Sequence, residues 1–276
     1  MHSNNILITD LTPHQIDLII NDLVHLRQIA DIELLPKHPH FEGKLYPIGR
    51  CKEIRDKVFS LLKECLPNTK LAGLLLIKKQ LEKGIPLSKQ WGSLRDEYFQ
   101  NAMILGELYI DVSNDTVNPN KPRVEILPLK DANFGPLSSF EQFIKVASSY
   151  WDVKFYKNTI FPALAPFLPL IYIDRKGRSK LGYAGLELLQ LAIQSEFTAS
   201  KSVLSTLPEP AESVKKEWEK LVKDIPYNDF LHSQGHIKDY FQEYQDKKLY
   251  LDSHFCNQAL NAYNLLPKTV NPYNHV

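Results

Sequence analysis

"AMILGELYIDVS", residues 102–113, decides how the chain is read. Two apolar runs flank the pair Gly106-Glu107, and glycine at the first position of a two-residue turn is a strong hairpin signal. Downstream, "NDTVNPNKP" (114–122) is rich in turn formers, and "RVEILPL" (123–129) predicts a third strand. A second hairpin is expected in "LIYIDRKGRSKLGY" (170–183), its strands joined across Lys176-Gly177.

Helical patterns surround these strands. Thr12, Pro13 and Gln15 are spaced as a capped helix start, and Ile16, Ile19, Ile20, Leu23 and Ile29 recur at near-helical intervals. The loop "PKHPHFEGKLYPIG" (36–49) leads to a second helix, from near Arg50 to about Leu66. "LAGLLLIKKQLEKG" (71–84) fits either a buried strand or a helix ended by Gly84. "SSFEQFIKVASSYW" (138–151) predicts a helix, with Ser138 and Glu141 spaced as a capping box. From Gly185 the pattern is helical to the end, interrupted by the linker-like "LPEPAE" (207–212).

The expected fold is therefore α+β. A central antiparallel β segment, about residues 100–183, is flanked by helices and followed by a mainly helical C-terminal portion. The expected organisation is an α+β domain over residues 1–206, with residues 207–276 packed on it.

Composition narrows the function classes. With 43% hydrophobic and 24% charged residues, the 276-residue chain can bury a sizeable core. Only 11 glycines are present, which argues against repeated Gly-rich phosphate loops. The net charge of +1 is interspersed rather than gathered on a basic stretch, so nucleic acid is not the expected partner. "MHSNNILITD" (1–10) lacks the basic and apolar regions of a secretory signal, and the apolar "IFPALAPFLPLIYI" (160–173) is short and broken by three prolines. Three cysteines do not make a disulfide framework. A cytoplasmic protein with reduced thiols, no membrane span and no cofactor is expected. The expected substrate or partner is a small molecule or a protein, of unknown identity.

Chemistry concentrates at few places. Cys51 opens the second predicted helix, where the helix dipole and unpaired backbone N–H groups favour a thiolate, and Arg50 and Lys52 add positive potential. The same cysteine also begins an apolar stripe with Ile54, Val58, Leu61 and Cys65, which reads as core.

With the hairpin "YFQNAMILGELYIDVSNDT" (98–116) added, the region resembles transglutaminase-like proteins, in which a cysteine opening a helix is followed by a hairpin bearing a His on one strand and an Asp on the next. The resemblance covers about sixty residues and implies cysteine-dependent acyl transfer or hydrolysis, with Cys51 as nucleophile and Asp111 as orienter. The strand due to supply the His reads Tyr98-Phe99-Gln100-Asn101 instead. The base is then expected from a distant histidine, with His40 the first candidate, His38 the second, and the C-terminal histidines also open.

Ligand-binding candidates cluster around the hairpin. "WGSLRDEYFQN" (91–101) brings Arg95, Tyr98, Gln100 and Asn101, and Arg95 is suited to a carboxylate or phosphate. The turn after the hairpin brings Asn114, Asp115 and Lys121, for acid–base work or simply as Asx-turn formers. His232, His236, His254 and Cys256 are types that bind zinc, but their spacing matches no known ligand pattern, and no metal is expected. Two functional classes stand: a thiol enzyme centred on Cys51, and a non-catalytic binding or accessory protein with Cys51 in its core.

Overall fold

The computed structural model describes residues 11–182 and 186–271. The predicted leader-free start (1–10), and Tyr183 and Gly185 at the ends of two expected elements, lie outside them. The fold is α+β, with antiparallel strands in the first two-thirds and helices toward the C-terminus. Contacts divide the chain into two compact units: Met1–Arg95 with Phe99–Pro136, and Asp96–Tyr98 with Leu137–Val276.

The first unit opens with α1 (Pro13–Leu34). The capping box forms as the spacing predicts: the Gln15 N–H donates to Thr12 Oγ1, and the Thr12 N–H donates to Gln15 Oε1. A small hairpin, β1 (His40–Phe41) and β2 (Lys44–Leu45), leads into α2 (Cys51–Cys65). The ambiguous 71–84 stretch is helical, α3 (Ala72–Glu82), and Gly84 at φ +84° ends it as a glycine C-cap should. Gly73 is required here, because a Cβ on it would lie 2.3 Å from the Leu18 carbonyl oxygen where α3 crosses α1.

Five strands follow: β3 (Leu87–Leu94), β4 (Tyr98–Leu105), β5 (Leu108–Asp111), β6 (Glu125–Pro128) and, after the short helix α4 (Leu129–Ala132), β7 (Phe134–Gly135). They form one sheet in the order β6-β5-β4-β3-β7. The expected hairpin forms around Gly106-Glu107, with Leu105 opposite Leu108 and Met103 opposite Ile110. "WGSLRDEYFQN" is a second hairpin, turning through Arg95 and Asp96 at positive φ. All eight residues of β4 are buried, which places it in the interior rather than at an edge. Ile19, Leu23, Leu26 and Ala30 of α1 meet Ile54, Val58 and Leu62 of α2, Leu74 and Ile77 of α3, and Met103, Leu105, Leu108 and Ile110 of the sheet in one core.

The second unit contains α5 (Phe140–Tyr150) and the antiparallel sheet β8 (Val153–Lys157), β9 (Leu170–Asp174) and β10 (Ser179–Leu181), ordered β10-β9-β8. The cap of α5 is displaced by one residue from the expected one: Ser139 accepts from the Gln142 N–H, while Gln142 Oε1 accepts from the Ser138 N–H. Five helices complete it: α6 (Leu186–Gln194), α7 (Thr198–Thr206), α8 (Glu212–Val222), α9 (Ile237–Asp246) and α10 (Ser253–Leu265). The "LPEPAE" stretch falls inside this unit, where the Lys157 N–H donates to the Pro208 carbonyl. Phe161, Leu164, Phe167 and Ile171 from the proline-broken apolar run are buried in its core. No helix among the described residues is long and apolar enough to cross a membrane.

Candidate functional site

The site is assembled from the start of α2 and from strands β4 and β5. Gly49, at φ +73°, turns the chain into α2 and presses against the Phe41 ring, so a Cβ there would overlap the ring. The Gly49 N–H donates to the Thr116 carbonyl (3.1 Å), tying this loop to the turn after β5. The Arg50 side chain bonds Glu53 and the His40 carbonyl, and its guanidinium lies over Phe41, 5.1 Å from the ring centre. Arg50 is therefore committed to its own surroundings.

Cys51 is the first residue of α2 and is partly buried. The buried face of the helix is Ile54, Arg55, Val58 and Leu62, so Cys51 stands before the core stripe rather than within it. Its sulfur faces β4, where Asn101 Nδ2 donates to Sγ at 3.3 Å. Among the described residues this amide is the thiol's hydrogen-bond partner. Burial pushes the Cys51 thiol up. The Asn101 hydrogen bond opposes that shift, and the negative charges of Asp111 and Glu53 add to it. Position at a helix N-terminus alone does not make this sulfur a thiolate.

A hydrogen-bonded chain runs from the thiol into the sheet. The Asn101 N–H donates to Gln100 Oε1 (3.0 Å), and Gln100 Nε2 donates to Asp111 Oδ2 (2.8 Å). Asp111 is fully buried and also accepts from the Tyr109 hydroxyl (3.1 Å), the Ser113 N–H (2.7 Å) and the Ser113 hydroxyl (3.0 Å). Desolvation pushes its carboxyl up to about 6, and these donors pull against it, the Ser113 N–H most strongly. The structure thus brings together Cys51, Asn101, Gln100 and Asp111.

His40 is placed elsewhere. It lies exposed on β1, where its backbone pairs with Leu45, and its ring makes no hydrogen bond to Cys51. Asp115 is bound to a residue that the hairpin reading missed: Arg27, fully buried on α1. Arg27 Nη1 and Nη2 donate to the two Asp115 oxygens at 2.8 and 3.1 Å, Nε donates to Asp31 (2.6 Å), and Nη1 also donates to the Val112 carbonyl (2.8 Å). The available signal was an arginine set inside the apolar stripe Leu23, Leu26, Ala30. Asn114 is buried, with its Nδ2 donating to the Pro122 carbonyl and its Oδ1 without a hydrogen-bond partner. Lys121 is partly exposed in the following turn, its N–H donating to the Asn118 carbonyl.

Arg95 and Tyr98 make other contacts. Arg95 Nη2 reaches Glu125 Oε2 at 3.2 Å, and the buried Tyr98 ring packs 5.9 Å from Tyr150. The C-terminal histidines do not converge on a metal: the described residues contain no group of three or more His, Cys, Asp or Glu side chains able to hold one. His232 instead caps a turn, its Nδ1 accepting from the Asn228 N–H at 3.0 Å. Compared with known proteins, the chain matches no family model, no curated protein and no solved structure.

Proposed function

We propose that this protein works by binding rather than by thiol catalysis, and that Cys51 is a hydrogen-bonded thiol held in a thiol-enzyme-like arrangement with no base beside it among the described residues. The observation that carries this reading is the 3.3 Å bond from Asn101 Nδ2 to Sγ. An amide donates to sulfur but takes no proton from it at neutral pH, and nucleophilic attack by cysteine depends on the thiolate. Asp111, the expected orienter, has its oxygens occupied by Gln100, Tyr109 and Ser113, so no free lone pair is left to position an imidazole.

The surface beside this site favours a protein partner. Ile32 and Leu35 near the end of α1, and Phe41 and Leu45 on the β1–β2 hairpin, are exposed apolar side chains on successive elements leading to Cys51.

The test is the iodoacetamide alkylation rate of each cysteine against pH on the folded protein, read by mass spectrometry. The expected result is a slow Cys51 whose apparent pKa lies at or above the free-thiol value of about 8.5. Fast, selective alkylation of Cys51 at neutral pH would overturn the reading in favour of cysteine-dependent acyl transfer or hydrolysis.

A further inference from the structure

The second unit contains a cavity that the Cys51 site does not use, and we propose that it binds an organic cation, an alkylated ammonium group. The cavity measures about 520 Å³ and lies among residues 227–234, α9 and the start of α10. That volume falls within the range of about 300–1,000 Å³ found for small-molecule sites.

Its lining combines two chemistries. Phe230, Tyr240, Tyr244 and Phe255 supply aromatic rings, with Tyr227 at the rim. These rings are held against one another: Tyr244 stands edge-on to Phe255 with centroids 4.9 Å apart, Phe230 lies 5.2 Å from Phe255, and Tyr240 meets Tyr244 at 5.9 Å. Asp229 and Glu243 supply carboxylates; His232, Ser233, Gln234 and Gln258 add polar groups, and neither lysine nor arginine is among the lining residues. Phe230 and Tyr244 are buried, whereas the two carboxylates are exposed, so apolar ring surface lies inward of negative charge.

A soft cation satisfies both parts. Ring faces carry negative potential and attract alkylammonium groups, whose methyl surface also prefers an apolar wall. A hard metal ion needs several converging oxygen ligands, and the described residues contain no such group. A neutral apolar ligand leaves the carboxylates without a role. The two carboxylates already make local contacts. Lys247 Nζ donates to Glu243 Oε1 at 2.7 Å, and Asp229 lies close enough to Tyr227 to push its phenol up. Lys247 and Glu243 are both exposed, so theirs is a surface ion pair of the weak, solvent-screened kind. The carboxylates also help to hold the Tyr244 phenol above its usual range, though burial is the larger cause.

The inference is independent of the role of Cys51. The test titrates the full chain with choline, with its neutral isostere 3,3-dimethylbutan-1-ol, and with a short peptide bearing trimethyllysine, using calorimetry. Choline or the peptide is expected to bind, the isostere is not, and the Asp229→Asn, Glu243→Gln double variant is expected to weaken binding roughly fivefold to tenfold. Both substituted residues are exposed, and circular dichroism checks that the fold is kept. Tighter binding of choline identifies a free small molecule as the ligand source, and tighter binding of the peptide identifies a modified side chain of a partner. Equal binding of choline and the isostere, or binding of neither cation, overturns the proposal.

Discussion

Asn101 on β4 aims its side-chain amide at Cys51 Sγ from 3.3 Å, so the residue best placed to act on the sulfur is a donor with no basicity. That pairing makes the chemistry of the site adjustable by one side chain.

Asn101→His puts an imidazole where the amide stands. The Cys51 alkylation rate at pH 7 is expected to rise roughly tenfold or more, with a lower apparent pKa, because an adjacent imidazolium stabilises the thiolate. Asn101→Ala removes the donor, supplies no base, and is expected to leave the rate slow. A melting curve for each variant confirms folding, and an unchanged rate in a folded Asn101→His protein would contradict the contact.

Asp111 makes stability depend on pH in a defined direction. Its folded-state pKa, about 6, lies above the ordinary 3.8, so between these values the native protein holds a proton that the unfolded chain has released. The contribution is full below about pH 4 and is lost as pH rises through 6, a decline of roughly 3 kcal/mol. Urea denaturation from pH 4 to 7 should show this slope in the native sequence and lose it in Asp111→Asn. Identical slopes in both would rule out Asp111 as its source.

Arg27 ties α1 to the end of β5 and the turn after it through the Val112 carbonyl and Asp115, and bonds Asp31 one turn along its own helix. Arg27→Met leaves the buried Asp115 carboxylate uncompensated and is expected to cost about 3–5 kcal/mol. Adding Asp115→Asn should restore part of that loss, so a double-mutant cycle by urea denaturation should give a clear coupling energy. Simple additivity would show that the pair is not coupled.

Gly73→Ala tests the crossing of α1 and α3. The added methyl meets the Leu18 carbonyl oxygen and the Ile19 Cα, backbone atoms that cannot swing aside. A loss of about 1–3 kcal/mol is expected despite alanine's better helix propensity. A stability gain would mean that the helices separate at no cost.

Local signals in the chain predict structure where neighbours in sequence are neighbours in space. The Thr12–Gln15 cap and the Gly106-Glu107 hairpin each depend on a few consecutive residues, and both formed as expected. The 71–84 stretch was undecided because its apolar residues show no single period. Packing against α1 settled it as a helix, through a glycine whose need for closeness is invisible in one dimension. The α5 cap moved from Ser138 to Ser139 because two adjacent serines offer the same chemistry and only backbone geometry chooses between them.

Turn chemistry and apolar period, both legible along the chain, suffice for the α+β class, the hairpin that carries Asp111 and the position of Cys51 at a helix start. Packing alone set which side chain faces that sulfur, that Asp115 pairs with Arg27 across 88 positions, and that rings from 227 to 255 line an open pocket. Those relations join residues distant along the chain, and a hydrogen bond or ring contact within a few ångströms is set by how whole elements pack, which no local pattern encodes.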